Sequence, residues 1–222
     1  QMWQRSHNMI IGYLATVKEQ KIIEHLNKLK RLGELKDIYL ISRGEEGSKF
    51  ALEERIDGNF FMVIPENVER FYIEKGMKIL TNSLTKTKIK NFYTHPKIWI
   101  IRIQKLRWKQ RIVCGFDKRN NSAGMKTLQL IISKSDNVQE LKYLNAILSS
   151  KLVNFWCVNY LADDMNKSYL EKIPVRAIDF SNPNDKILHD KLVDLTEKMF
   201  ALKTSINNTK TETEKTMLQR QR

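Results

Sequence analysis

The side chains of this sequence most capable of chemistry are cationic and crowded into one stretch. Between Lys86 and Arg119 lie Lys86, Lys88, Lys90, Lys97, Arg102, Lys105, Arg107, Lys109, Arg111, Lys118 and Arg119, which is 11 of the chain's 39 basic residues against one of its 25 acids, Asp117. Phe92, Tyr93, Trp99, Trp108 and Phe116 are interleaved with them. Lysine and arginine at this density attract phosphates and release their counterions, and long side chains on a loop can reach base edges in a groove. The expected chemistry is therefore nucleic-acid binding. Trp99 and Phe116 sit inside strand-like runs and are expected in the core, whereas Trp108 reads equally as a contact or as a residue packed beneath its loop. Asn120 closes the segment in a turn, Asp117-Lys118-Arg119-Asn120-Asn121. The polar loop from Arg43 to Lys49 reads either as a plain surface turn or as a second nucleic-acid-facing loop; its glycines lack the spacing of a phosphate-binding loop.

Signals for catalysis are thin. Glu140-Leu141-Lys142 matches half of a nuclease motif, for which Asp117 or Asp136 would supply the carboxylate, but such a pair also suits the solvated face of a helix. Asp163 and Asp164 are adjacent and read as a turn. Two cysteines in apolar surroundings, Cys114 and Cys157, read as buried thiols, and scattered histidines give no zinc spacing. No nucleophilic triad, S-adenosylmethionine loop or N-P-P-[Y/F] motif is present. The chain is not expected to be an enzyme by itself.

A formal charge of +14 over 222 residues points to an anionic partner. No apolar run approaches the roughly 20 residues of a membrane span, and the first residues lack the pattern of a signal peptide, so a cytoplasmic protein without a membrane partner is expected.

Positioning these groups falls to a mixed set of elements. Apolar spacing from Val17 to Leu32 predicts a helix ended by Gly33. Residues 37–42, 60–64, 97–103, 111–116 and 127–132 read as strands, with 104–110 as a hairpin loop. From Val138 the pattern is helical to about Tyr160, breaks at Asp163–Lys167, and resumes as a long helix capped by Asn182 with Pro183 in its first turn. Leu188, Leu192, Leu195, Met199, Leu202 and Ile206 follow at steps of 4 and 3, a heptad seam. The fold class is α+β: a helical lead-in over 1–36, a β-rich α/β head over 37–136, and a helical region over 137–222 with a long C-terminal helix. The stretch Leu141–Pro174 is expected to join head and arm. The seam is expected to pack on the Leu141–Tyr160 helix or to meet another protein.

Leu141-x-x-Leu144-x-Ala146-Ile147-Leu148-Ser149-Ser150-Lys151-Leu152, then Lys167-Ser168-Tyr169-Leu170-x-x-Ile173-Pro174-Val175, resembles the TaqI-like C-terminal specificity domain of restriction-modification enzymes that carry an N6-adenine methyltransferase. Asp179-Phe180-Ser181-Asn182-Pro183-x-Asp185-Lys186-x-x-His189-Asp190 looks like the tail of that domain, and Arg43-Gly44-Glu45-Glu46 and Ile112–Asp117 look like weaker landmarks. The resemblance covers about 40–222 and is most specific over 141–190. The family commonly shows Asn-Ser-Lys where this chain has Ser149-Ser150-Lys151. The resemblance implies a sequence-specific recognition module for double-stranded DNA, non-catalytic and docked on methyltransferase or nuclease domains of the same polypeptide. S-adenosylmethionine, with Mg²⁺ as a second candidate, would be bound by the parent and not by this chain. The expected DNA-binding residues are Arg43, Lys49, Lys86, Lys88, Lys90, Arg102, Lys105, Arg107, Trp108, Lys109, Arg111, Lys118, Arg119, Asn120 and Lys167. Two other readings stand beside this one: a helical protein-interaction module with incidental charge, and a self-contained Mg²⁺-dependent nuclease.

Overall fold

A computed structural model describes residues 16–46, 57–80, 84–103, 110–160 and 164–209. Its centre is a four-stranded antiparallel sheet in the order β2 (Tyr39–Arg43), β10 (Leu128–Ser133), β7 (Lys97–Ile101), β8 (Cys114–Asp117). The apolar runs Ile98–Ile101 in β7 and Leu130–Ile132 in β10 follow from burial of this sheet on both faces, which removes the need for a polar alternate position. Ile98, Ile100 and Ile131 enter one core with Leu141, Leu144, Leu148, Val153, Trp156, Leu170 and Ile173. Trp99, Leu128, Leu130 and Ile132 enter a second core on the opposite face. That face is covered by a small sheet, β6 (Met77–Ile79), β3 (Phe60–Val63) and β9 (Ser122–Gly124), in which β3 and β9 run parallel. The architecture is α+β, with a 26-residue C-terminal helix, α6 (Pro183–Asn208). Among the described residues no helix is long and apolar enough to cross a membrane.

Several expectations are corrected. The first helix, α1 (Val17–Asn27), stops well before Gly33. The residues after it form a two-stranded sheet, β1 (Lys30–Arg31) with β11 (Pro174–Val175), and Gly33 lies so close to Glu171 that a Cβ there would stand 2.9 Å from the Glu171 Cβ. Close approach, not a left-handed helix end, is what asks for glycine. The helical stretch 138–160 is two helices, α3 (Val138–Leu148) and α4 (Lys151–Tyr160). They part at Ser149, whose carbonyl accepts from Arg70 at 2.5 Å, and Ser150, whose hydroxyl accepts from the Val153 N–H at 3.1 Å. Both bonds compete with helix continuation.

The stretch 141–174 is not a joint between separate cores. Its apolar side chains fill the same core as β7, β8 and β10, so the expected boundary at 136/137 runs through shared packing. It includes a short helix, α5 (Lys167–Leu170), before β11. α6 packs on α3, as expected, but it is rotated so that the heptad seam borders the contact, with Leu188, Leu192, Met199 and Leu202 half-buried and Ile206 buried. Its buried residues are Asp185, His189, Val193, Thr196, Lys203 and Ile206, whereas Leu195 is 45% exposed. The helix is turned toward its polar contacts. Thr196 donates to the Lys142 carbonyl at 3.1 Å, and Lys203 pairs with Glu69 at the edge of the hairpin β4 (Val68–Glu69) and β5 (Tyr72–Ile73). The Phe200 ring lies 5.6 Å from that of Tyr72.

Candidate nucleic-acid interface

The eleven cations of 86–119 do not form one patch. The hairpin β7–β8 pairs Lys97 with Asp117 at one end and Ile100 with Cys114 toward the other. At about 3.3 Å per residue the ends are some 13 Å apart. Lys118, Arg119 and Asn120 therefore lie at the end where β8 finishes, while Arg102 and Arg111 lie where β7 finishes and β8 begins.

At the Lys97 end the charge is turned inward. Lys97 is fully buried; its Nζ donates to the Tyr93 carbonyl at 3.1 Å, the Arg119 carbonyl at 3.2 Å and Ser122 Oγ at 2.9 Å. Burial pushes its ammonium down to about 7, against the pull of Asp117. Arg119 clamps Asp117 with Nε at 2.7 Å and a terminal nitrogen at 3.0 Å, and Trp99 Nε1 donates to the same carboxylate at 3.3 Å. Burial opposes the ionised Asp117, yet the hydrogen bonds and charge of Arg119 hold its carboxyl below the usual range. Arg119 is thus committed to the fold. Lys118 and Asn120 remain exposed, with the Lys118 ammonium 6.0 Å from the centre of the Phe200 ring.

The opposite end gathers cations from four segments. Arg43 ends β2 and pairs with Glu46, and Lys126, in the turn before β10, reaches the same carboxylate at 3.2 Å. Arg102 follows β7 and makes a two-pronged bond to Asp164, both arms at 2.6 Å. Lys88, in the helical turn α2 (Lys86–Lys88), donates to the Gly44 carbonyl at 2.7 Å, and Lys86 in the same turn is exposed. The Glu46 carboxyl is held below its usual range, first by the hydrogen bond from Lys126 and then by the charges of Arg43 and Lys88. Asp164 holds the Arg102 guanidinium firmly protonated. Five cations and the carboxylates Glu45, Glu46 and Asp164 leave an excess of two positive charges here.

Glu45 organises this end from below. It is buried, and its oxygens accept from the Thr85 N–H at 3.2 Å, Thr85 Oγ1 at 2.8 Å and the Tyr93 hydroxyl at 3.1 Å. It thereby ties the loop after β2 to α2. Glu45→Ala should lower stability by about 2 kcal/mol by stranding these donors. Urea unfolding measures this, and an unchanged midpoint would mean the donors find other acceptors.

The remaining expected positions divide clearly. Arg111 is buried, its backbone N–H donating to Asn154 Oδ1 at 2.7 Å and its charge acting on the Cys157 thiol of α4, so it is not displayed to a ligand. Lys90 is exposed. Lys167 is exposed on α5, at the edge by β2, with Glu171 at 3.7 Å. Lys49, Lys105, Arg107, Trp108 and Lys109 lie outside the described residues. Lys126, Glu45 and Asp164 were missed as parts of this end. Lys126 stands outside the dense basic segment, and nothing local marks a carboxylate that orients a distant arginine.

The groups weighed for metal-dependent cleavage are each engaged elsewhere. Glu140 accepts from Ser133 and Ser135, Lys142 pairs with Glu197, and Asp136 meets His95 Nδ1 at 2.6 Å. Among the described residues, no three His, Cys, Asp or Glu side chains gather where they could hold a metal ion. Cys114 and Cys157 are buried free thiols, and burial pushes the Cys114 thiol up to about 11. No protein-family model and no curated protein matches this sequence.

Proposed function

We propose that this chain is a non-catalytic module that recognises double-stranded DNA, working as the target-reading part of a cytoplasmic restriction-modification enzyme or adenine-specific methyltransferase. The observation that carries the reading is the convergence of Arg43, Lys86, Lys88, Arg102 and Lys126 from four segments onto one end of the central sheet. Glu46 and Asp164 hold two of these guanidinium groups in fixed directions, which lowers the entropy lost when a phosphate or base edge takes the remaining donors. Lys90, Lys118 and Asn120 lie elsewhere on the surface and are secondary candidates for backbone contact. Restriction of the reading to a methyltransferase parent rests on the sequence pattern of residues 141–190. In that parent, S-adenosylmethionine and any Mg²⁺ belong to other domains of the polypeptide.

The rival reading as a protein-interaction helix draws on α6. That helix places its buried face on α3 and the β4–β5 hairpin, which leaves Ile187 and Leu195 as its exposed large aliphatic side chains among the described residues.

Fluorescence anisotropy with a labelled duplex tests the DNA reading. Binding should weaken steeply as salt rises, and the double change Arg43→Ala with Lys126→Ala should reduce the log–log salt slope by up to about 2. An unchanged slope in a folded variant removes this end of the sheet as the interface. Absence of binding to any duplex at low salt removes the reading itself.

A further inference from the structure

Arg102 differs from the other cations at the basic end in that its charge is cancelled and its direction fixed. Asp164 takes the Nε and Nη2 arms of the guanidinium, both at 2.6 Å. The pair is also braced through the backbone. The Arg102 N–H donates to the Thr127 carbonyl at 2.9 Å, and the Arg102 carbonyl accepts from the Met165 N–H at 2.6 Å. Ile103 and Asp164 form an antiparallel bridge beside it. The Arg102 side chain is 24% exposed and that of Asp164 38%, so the pair belongs to the surface yet is partly sheltered. Around it, Arg43 and Lys126 share Glu46, and Lys88 stands 4.0 Å from the buried Glu45. With Lys86, these four cations face two carboxylates, so the whole excess of two positive charges lies outside the Arg102–Asp164 pair.

Two kinds of DNA contact ask for different cations. A phosphate contact draws on net charge and counterion release, which a neutral ion pair supplies weakly. A base contact draws on direction. With Nε and one Nη2 N–H given to Asp164, the guanidinium keeps its other edge, Nη1 with the second Nη2 N–H, as two parallel donors in one plane. Guanine presents two acceptors side by side in the major groove, O6 and N7, and no other base shows two acceptors there. An arginine already held in place loses little side-chain freedom on making both bonds.

We propose that Arg102, oriented by Asp164, reads a guanine in the major groove, while Arg43, Lys86 and Lys126 hold the phosphates around it. The inference rests on the DNA-binding reading above and assigns specificity within that site to one ion pair. Preferred duplexes are selected from a random-sequence pool with the full chain. Affinity is then measured over a range of salt for the selected duplex and for each single base-pair replacement. The double change Arg102→Ala with Asp164→Ala removes the pair without altering net charge. It should abolish a roughly tenfold preference at one G·C pair and leave the log–log salt slope unchanged. Asp164→Asn should lose the same preference while steepening the slope by about 1, because it frees the guanidinium charge. Arg102→Lys keeps the charge without the planar fork and should also lose the preference, which preserves the test if the double variant fails to fold. Arg43→Ala with Lys126→Ala should lower the slope and keep the preference. Selection of no preferred sequence, or a preference that survives loss of the Arg102–Asp164 pair, would overturn the proposal and leave DNA binding standing. Absence of binding to any duplex removes the DNA reading, and the proposal with it.

Discussion

Replacing Trp99 by alanine is expected to lower the unfolding free energy by about 3–5 kcal/mol, the range for a large aromatic ring removed from a packed core. Trp99 is fully buried in β7 and faces the second core. A Cβ on Gly124 would come within 2.5 Å of its ring, so the ring is seated directly against the backbone of β9 and glycine is required there. Tyr93 packs on it at 6.3 Å between centres, and its indole N–H donates to Asp117. Alanine would open a cavity between the two sheets and remove one of the bonds that hold the Asp117 carboxylate. The consequence extends to the basic end, because the Gly124 carbonyl also accepts from the Glu45 N–H and so fixes the loop that carries Arg43 and Glu46. Trp99→Phe should cost clearly less than alanine, since it keeps most of the ring. Chemical unfolding of the three proteins measures both differences. A loss below about 1 kcal/mol for Trp99→Ala would mean that the two sheets do not close on this ring.

The central strands are legible in the sequence because their cause is local. Ile98-Trp99-Ile100-Ile101 and Leu130-Ile131-Ile132 are apolar at consecutive positions, and a sheet covered on both faces demands that. The start of α6 is legible for the same reason, since Asn182 accepts from the Asn184 N–H at 3.0 Å and Pro183 follows it directly. What failed was decided by distant partners. The spacing of Leu188 to Ile206 is a good seam, but Tyr143, Lys142 and Glu69 rotate α6 so that His189, Thr196 and Lys203 turn inward and Leu195 outward. The break at Ser149–Ser150 is set partly by Arg70, 79 residues away. The basic segment was legible as charge and illegible as a surface: a hairpin separates neighbours along the chain, and Lys97 and Arg111 are interior residues. Counting cations in a segment locates the charge along the chain, while the display of those cations depends on where strands turn.

Lys97 should make stability depend on pH in the direction opposite to the usual alkaline loss. Its ordinary value is 10.5, and burial brings the folded value to about 7. Between these values the unfolded chain holds more protons than the folded one, so raising the pH favours folding. The rise is limited to about 1.4 kcal/mol per pH unit for one proton. It should be visible from pH 7 to about pH 9. Above that, Cys114 and Cys157 act in the other sense, because burial raises both thiols and the unfolded chain then ionises first. Urea unfolding at pH 7, 8 and 9 and constant ionic strength gives the slope. Lys97→Met removes the titrating group and should flatten it, while also stranding the Tyr93 and Arg119 carbonyls and Ser122 Oγ as acceptors. The variant is therefore compared by slope and not by absolute stability. Equal slopes in the two proteins would show that Lys97 keeps its proton alike in both states, with Asp117 and the three oxygens compensating fully for its burial.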